Sequence, residues 1–333
     1  MQSYHLNAAG DPEGITLRES PDPVPGPGEI LVRIHARSLN FRDGLILRGQ
    51  YPVPAQAGVV PLSDGAGEVV SLGASVSRVA VGDRVSAAYF PRWAEGPLSM
   101  AFVMEQFGCT RDGMLADLVV MPDQAAVKIP PQLSYEEAST LPCAGVTAWN
   151  ALFGGQRILP GQTVLTLGSG GVATFAVQFA KILGARVIAV TSTDEKAELL
   201  RGLGAQDVIN RTATPDWGRV VQDLTGGGGV EHVVESGSLE TLPRSIAAAA
   251  PGAEIALVAA LGAGSLDPRV LGAPVTIRRF YVGSRAHFEA MNRAIEIHEI
   301  RPVIDQCFSF ANAPAAYAHF LAKHHTGKVV IGR

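Results

Sequence analysis

The sequence predicts an α/β protein of two domains: a compact β-barrel-like domain, then a doubly wound parallel sheet, with the chain's end returning to the first domain. Three observations predict it. At 333 residues the chain exceeds one ordinary hydrophobic core. From about residue 162, short apolar runs alternate with helical periods, the pattern of a parallel sheet built from right-handed crossovers. Before that point, short β-like runs are punctuated by glycine and proline, as in a small barrel.

The elements follow in order. "EILVRIHARSL" (29–39) alternates β-branched and leucine residues with polar ones and reads as a strand. "AGEVVSLG" (66–73), "VGDRVSAAY" (81–89) and "GMLADLVVMP" (113–122) read the same way, separated by turns such as "PGPGE" (25–29). "LSYEEASTLPCAGVTAWNALF" (133–153) changes to helical spacing, with Ser134 as its N-cap. "TVLTLG" (163–168), "RVIAVTS" (186–192), "DVIN" (207–210), "VEHVVESG" (230–237) and "AEIALVAALG" (253–262) are strands. Helices at 171–184, 194–204 and 217–227 lie between them. The tail (314–333) is a helix and then a strand, whose "GKVVI" can rejoin the first domain. The predicted division is residues 1–125 completed by 291–333, and residues 126–290.

Composition narrows the function. Apolar residues make up 47% and charged residues 17%, which favours a large core over disorder. A net charge of −4 without any basic block argues against a nucleic-acid partner. No apolar run approaches the roughly 20 residues that span a bilayer, so no membrane partner is expected. The N-terminus lacks the pattern of a signal peptide. Three widely spaced cysteines, Cys109, Cys143 and Cys307, fit reduced thiols in the cytoplasm.

"TLGSGGVATFA" (166–176) is the most informative stretch. Gly168, Gly170 and Ala173 form G-x-G-x-x-A between an expected strand and helix. The first glycine permits a tight turn, and the second lets a diphosphate reach the backbone. The small third residue allows close helix packing. Gly168, Ser169, Gly170, Gly171 and Val172 are the expected cofactor-binding residues, against the bland alternative of a flexible loop. At the end of the next strand, Thr191, Ser192 and Thr193 stand where an NAD site usually carries an acid. Their hydroxyls suit a 2′-phosphate, and Lys196 and Arg211 either add charge to it or are solvated surface residues. The expected cofactor is NADPH, with NADH possible.

Cys143, in "TLPCAGVTAW" (140–149), is on its own reading a metal ligand, a nucleophile or a small pocket-lining residue. These motifs, with "SLNFRD", "PLSDGAGEVVSLG" and "GKVVI", resemble the medium-chain dehydrogenase/reductase superfamily over nearly the whole chain. The resemblance implies a GroES-like barrel domain and a Rossmann domain, with cofactor and substrate in the cleft between them, and a homodimer. In the superfamily's zinc alcohol dehydrogenases, Cys and His replace Asn40 and Ser63, and a Cys stands at position 143. An amide and a hydroxyl are poor substitutes for thiolate and imidazole, so no metal ligand is expected and Cys143 is read as pocket-lining. The lobe carrying four clustered cysteines is also absent.

What remains resembles the zinc-free quinone oxidoreductases and enoyl reductases, which pass hydride to a quinone or an α,β-unsaturated carbonyl. Asn40 is then a donor to the substrate carbonyl or nicotinamide ribose, or else a turn-stabilising amide. Tyr51, in "RGQYP", is a proton donor or packs at the pocket mouth. Arg42 steers an anionic or carbonyl group, or pairs with Asp43 or Asp64; Asp64 is expected to fix Arg42. Thr147 faces the nicotinamide, and Arg285 contacts the cofactor. One departure sets the chain apart from enoyl reductase domains: Ala259 and Ala260 stand where those carry a lysine. The stretch 89–113, with Arg92 and Trp93, is a pocket wall or lid, or covers a subunit contact. The expected function is a zinc-independent NADPH-dependent reductase. The alternatives are a metal-free alcohol/aldehyde dehydrogenase and a low-turnover NADPH-binding sensor.

Overall fold

A computed structural model describes residues 1–7, 14–258 and 268–333. Ala259 and Ala260 lie outside the described residues. The described chain divides into two units, Met1–Val146 with Gly283–Arg333, and Thr147–Val282.

In the first unit β1 (Gln2–Leu6) pairs antiparallel with β2 (Ile15–Glu19). The main sheet is centred on β3 (Glu29–Ser38), whose Ile30, Val32 and Ile34 are buried while Arg33 is exposed. Leu31, Ala36, Arg37 and Ser38 are buried as well, so the strand is covered on both faces over most of its length. It pairs with β4 (Asp64–Leu72) and β6 (Leu118–Pro122), and β4 leads on to β5 (Arg84–Ala87) and β7 (Ala126–Lys128). From the far end of the sequence come β14 (Ile304–Phe308) and β15 (Lys328–Gly332). β15 lies antiparallel on β3, with Ile331 opposite Arg37, so "GKVVI" does rejoin the first domain. Ile30, Leu62, Val69, Met114, Leu115, Val329 and Ile331 fill the core beneath these strands. Each such side chain contributes about 1.5–3 kcal/mol by leaving water.

Short helices decorate this unit. α1 (Phe41–Leu47) starts at Asn40, whose backbone N–H donates to Asp43 Oδ2 at 2.7 Å. Asp43 N–H returns a bond to Asn40 O at 2.9 Å, closing the first turn. α2 (Met100–Val103) follows the Ser99 cap. α3 (Tyr135–Ser139) begins as expected at Ser134, whose Oγ accepts from Glu137 N–H while Glu137 Oε2 accepts from Ser134 N–H. The single helix expected over 133–153 is instead broken. Leu141–Gly145 is a π-helical turn holding Pro142 and Cys143, and regular α-helix resumes as α4 (Val146–Phe153).

The second unit is one parallel sheet of β8 (Thr163–Leu167), β9 (Arg186–Thr191), β10 (Asp207–Asn210), β11 (Val230–Glu235), β12 (Ala249–Leu257) and β13 (Thr276–Arg279). Their spatial order is β10-β9-β8-β11-β12-β13. It reverses direction beside β8, the doubly wound arrangement that binds ligands at the strand ends next to the switch. α5 (Gly171–Ile182), α6 (Asp194–Leu203), α7 (Trp217–Leu224) and α8 (Leu242–Ala248) make the crossovers. Leu165, Ile188, Val233 and Ile255 are fully buried, because a sheet covered on both faces needs apolar residues throughout.

The unit boundaries fall at Val146 and Gly283 rather than at 125 and 291. Residues 126–128 complete the first unit's sheet through β5. Asn292 Nδ2, on α9 (Arg285–Ile297), donates to Lys128 O, which ties that helix to the same unit. α10 (Ala313–Leu321) precedes the last strand. Among the described residues no helix is long and apolar enough to cross a membrane.

Candidate active site

In the second unit the residues of the glycine motif come together at the end of β8. Gly168 has φ +87°, a left-handed conformation that a side chain disfavours, and its N–H donates to Val190 O at 2.7 Å. A Cβ built on Gly170 would meet no protein atom within 4 Å, so the space beside it is open. Gly171 and Val172 form the first turn of α5, and Gly170 offers no side chain to cap it. Their N–H groups and the helix dipole therefore face that space with positive character. Ala173 is buried, where its small side chain lets the helix pack closely. An open cradle beside uncapped amides fits a dinucleotide diphosphate.

The end of β9 carries the second expected group. Arg211 N–H donates to Thr191 O at 2.8 Å, which brings Arg211 beside Ser192. Ser192 O accepts from Thr212 Oγ1 at 2.9 Å. Thr193 caps α6, its Oγ1 accepting from Lys196 N–H at 3.3 Å, so the cap fixes where Lys196 leaves the helix. Asp194, the first acid after the strand, accepts from Asn210 Nδ2 at 2.9 Å. Ser192, Thr193, Lys196 and Arg211 thus gather at one strand end.

Thr147 is buried in the first turn of α4. Sequence reasoning missed what anchors the rest of that helix. Arg278 Nη2 donates to Asn150 O and Ala151 O, and its Nε donates to buried Glu254 at 2.8 Å.

In the first unit a different constellation forms. Asn40 is buried, and its side-chain Oδ1 accepts from Lys328 Nζ at 2.5 Å. Lys328 Nζ also donates to Leu39 O at 2.6 Å and lies 3.7 Å from Asp64 Oδ2. Asp64 further accepts from Ser63 Oγ at 2.7 Å, from Ser38 Oγ at 3.3 Å and from Cys143 N–H at 3.3 Å. Asn40 Nδ2 is buried and has no hydrogen-bond partner. Leaving such a donor unsatisfied costs about 1–3 kcal/mol. Burial pushes the half-buried Cys143 thiol far up, with Asp64 adding to the effect, so it stays protonated and is no nucleophile.

Arg42 does not pair with Asp64 or hydrogen-bond Asp43, correcting the expectation that Asp64 fixes it. Its Nη1 donates to Phe107 O at 2.8 Å, and its guanidinium lies over the rings of Tyr51 and Tyr89, 5.2 and 4.9 Å from their centroids. Its Nε and Nη2 are buried without partners. Tyr51 Oη donates to Gln106 Oε1 at 3.0 Å and also borders an open groove with Ile46, Val53 and Arg18. Tyr89 and Gln106 were not read from the sequence. Both sit in the 89–113 stretch, where Phe90, Trp93 and Phe107 are buried, Met100 and Met104 are exposed, and Arg92 is exposed and paired with Glu105. Trp93 therefore packs inside the unit, with its Nε1 on Gly96 O. Arg285 Nη1 donates to Gln124 O and Oε1 at 2.8 Å.

Comparison with known proteins decides the family. The alcohol dehydrogenase GroES-like domain model matches residues 26–131, and the zinc-binding dehydrogenase model matches residues 171–297. A zinc-type alcohol dehydrogenase-like protein of Schizosaccharomyces pombe is 41% identical over 92% of this chain and 91% of its own length. The chain belongs to the medium-chain dehydrogenase/reductase superfamily. It is an oxidoreductase of a family that binds a nicotinamide cofactor. A quinone oxidoreductase of Pseudomonas aeruginosa is 31% identical over 97% of both chains. The solved structure of an NAD-dependent alcohol dehydrogenase has a TM-score of 0.90 at 29% identity, covering 100% of both chains. A mycobacterial protein complexed with NADPH has a TM-score of 0.83 at 28% identity, also covering 100% of both.

Zinc, which two of these names carry, does not fit the residues present. The positions that hold it in the superfamily's zinc enzymes are here an amide, a hydroxyl and a protonated thiol, and Lys328 already occupies the amide oxygen. Among the described residues no group of three or more His, Cys, Asp or Glu side chains is arranged to hold an ion.

Proposed function

We propose that this superfamily member is a zinc-independent, NADPH-dependent reductase of the quinone oxidoreductase type, acting on a quinone or an α,β-unsaturated carbonyl. The observation that carries the reading is the unpartnered, buried Asn40 Nδ2 at the position where zinc members place a ligand. A conjugated substrate spreads the incoming charge onto its own carbonyl oxygen, so a hydrogen-bond donor suffices where a simple alcohol would need a metal.

In this reading Gly168 to Val172 hold the diphosphate, and Ser192, Thr193, Lys196 and Arg211 hold the 2′-phosphate. When bound, the reduced nicotinamide supplies the hydride. Asn40 Nδ2 donates to the substrate carbonyl, and Tyr51 gives the proton that completes the reduction. Thr147 and Arg285 keep the roles that the superfamily resemblance gives them, as further contacts to the cofactor. Cys143 lines the pocket. A cytoplasmic homodimer with a small-molecule substrate, and without nucleic-acid or membrane partners, belongs to the same reading.

Steady-state oxidation of NADPH with a panel of quinones and enones, after dialysis against a chelator, tests it. Turnover with these acceptors and none with simple alcohols supports the reading. Turnover confined to alcohols and aldehydes favours a dehydrogenase, and cofactor binding with no turnover on any acceptor favours a sensor.

A further inference from the structure

We propose that Lys328 is a positioning residue that locks the Asn40 amide so that its nitrogen, and not its oxygen, faces the substrate carbonyl. The inference rests on the proposed reductase activity and adds the device that makes Asn40 competent for it.

An asparagine side chain presents either an acceptor or two donors, depending on a half-turn about its last bond, and the two ends are nearly isosteric. The fold fixes the backbone of this one. The Asn40 backbone is clamped in the first turn of α1, donating to Asp43 Oδ2 and accepting from Asp43 N–H. The amide can still make that half-turn on a clamped backbone, and the bond from Lys328 removes it. An ammonium has three donors and no acceptor, so the amide atom 2.5 Å from Nζ is necessarily the oxygen. The nitrogen then points the other way, where it is buried with no partner of its own.

Lys328 is itself fixed. Its side chain is buried, its N–H donates to Val303 O at 2.9 Å, and Nζ reaches Leu39 O as well as Asn40. Asp64 at 3.7 Å balances the charge, and Ser38, Ser63 and the Cys143 N–H satisfy that carboxylate. The ammonium has a second effect. Drawing electron density toward Oδ1 leaves the Nδ2 hydrogens more positive, so the donor facing the substrate is strengthened in a low-dielectric site.

The test uses the full-length protein and three variants. Asn40→Asp keeps an oxygen for Lys328 but removes the donor. Lys328→Gln lets the Asn40 amide turn, since glutamine offers both an acceptor and a donor. Lys328→Arg restores a donor-only partner. With 2-cyclohexen-1-one and NADPH, kcat is expected to fall about a hundredfold in Asn40→Asp and about tenfold or more in Lys328→Gln. KM for NADPH should hold in both, and Lys328→Arg should regain part of the loss. A purely structural lysine would lower the melting temperature of Lys328→Gln and leave its kcat intact, which would overturn the proposal.

A second readout does not need turnover. The side-chain amide signal of Asn40 in a ¹⁵N–¹H correlation spectrum, identified by its loss in Asn40→Asp, should shift when 2-cyclohexen-1-one is added with NADP⁺. That shift should vanish in Lys328→Gln and persist in Lys328→Arg. Absence of the shift in the wild-type protein also overturns the proposal. Absence of turnover in a protein that shows the shift would instead remove the reductase reading and leave the lock standing.

Discussion

The hydroxyls of Tyr51 and Tyr89 lie 3.3 Å apart and share one acceptor, Gln106 Oε1, at 3.0 and 3.1 Å. Gln106 donates through Nε2 to Val103 O at 2.5 Å, which fixes its oxygen toward the two phenols. Burial holds the Tyr89 phenol well above its ordinary range, so it keeps its proton. Tyr51 is only half-buried and is the one able to exchange Gln106 for a substrate. Tyr51→Phe is expected to lower kcat for enone reduction by about a hundredfold, the usual weight of a general acid, and Tyr89→Phe by less than about tenfold. Steady-state kinetics on both variants checks the order. Equal losses would move the proton donor off Tyr51.

The strand-end cluster predicts cofactor discrimination. Lys196 and Arg211 leave the backbone at points fixed by the Thr193 cap and by the bond to Thr191 O. A charge-assisted contact to a phosphate is worth about 1.5–3 kcal/mol, or roughly ten- to a hundredfold in affinity. Replacing either residue by alanine should raise KM for NADPH by that factor and leave KM for NADH nearly unchanged. Ser192→Asp should reverse the preference by setting a carboxylate against the phosphate. Parallel titrations with both cofactors decide it.

Gly170 separates binding from folding. A side chain there meets no protein atom within 4 Å, and the backbone φ of −76° is open to any residue. Gly170→Val should therefore melt within a few degrees of the wild-type protein while losing most of its affinity for either dinucleotide. Thermal denaturation and cofactor fluorescence titration on the same sample check both halves. A large loss of stability would mean that the cradle is needed by the fold itself.

What was legible in the sequence was what depends on neighbours along the chain. The glycines at 168 and 170 announce their turn because strand, turn and helix are consecutive, and Ser134 with Glu137 announces a helix start for the same reason. Strand β3 announces itself through its own run of β-branched and leucine residues, although burial of Leu31 and Arg37 on its other face does not follow from the alternation. The substrate-side arrangement was not legible, because Asn40 meets Lys328 across 288 positions and Tyr51 meets Gln106 across 55. Nothing local marks those pairings. "GKVVI" could be read as a returning strand, yet only its pairing with β3 sets its lysine beside Asn40. Likewise Arg42 was matched to Asp43 and Asp64 by charge alone, whereas the fold sets it over the rings of Tyr51 and Tyr89. The break at Leu141–Gly145 did leave a local mark, since Pro142 has no N–H for a regular helical bond, but the helical spacing on either side of it was read as one helix.

Cys143 gives a prediction about reactivity. Its thiol is pushed far up by burial, with the Asp64 carboxylate acting in the same direction. The thiolate is the reactive form, so iodoacetamide at pH 8 should leave Cys143 largely unmodified in the folded protein. Cys143→Ala should keep kcat within about threefold, since the proposed role of the side chain is only to line the pocket. Peptide mapping after alkylation and steady-state assays of the variant test this together. Rapid labelling with loss of activity would restore a chemical role for the sulfur.

Asp43 predicts a pH dependence of stability. Burial raises its carboxyl to about 6, although Arg42 pulls in the opposite direction. In the unfolded chain the same group titrates near 4. Between roughly pH 4 and pH 6 the folded protein therefore binds more protons at this site than the unfolded chain does. Its contribution to stability is fullest at low pH and is lost as pH rises through that window. The size of the loss is about 3 kcal/mol, from 1.36 kcal/mol per tenfold change in proton affinity. Asp43→Asn removes the ionisation and keeps an oxygen for the Asn40 N–H. The variant's stability relative to wild type should rise between pH 4 and pH 6 and stay level above about pH 7. Urea denaturation of both proteins across that range measures it. A difference that stayed constant with pH would show that Asp43 is as easily ionised folded as unfolded, and that burial does not raise its carboxyl.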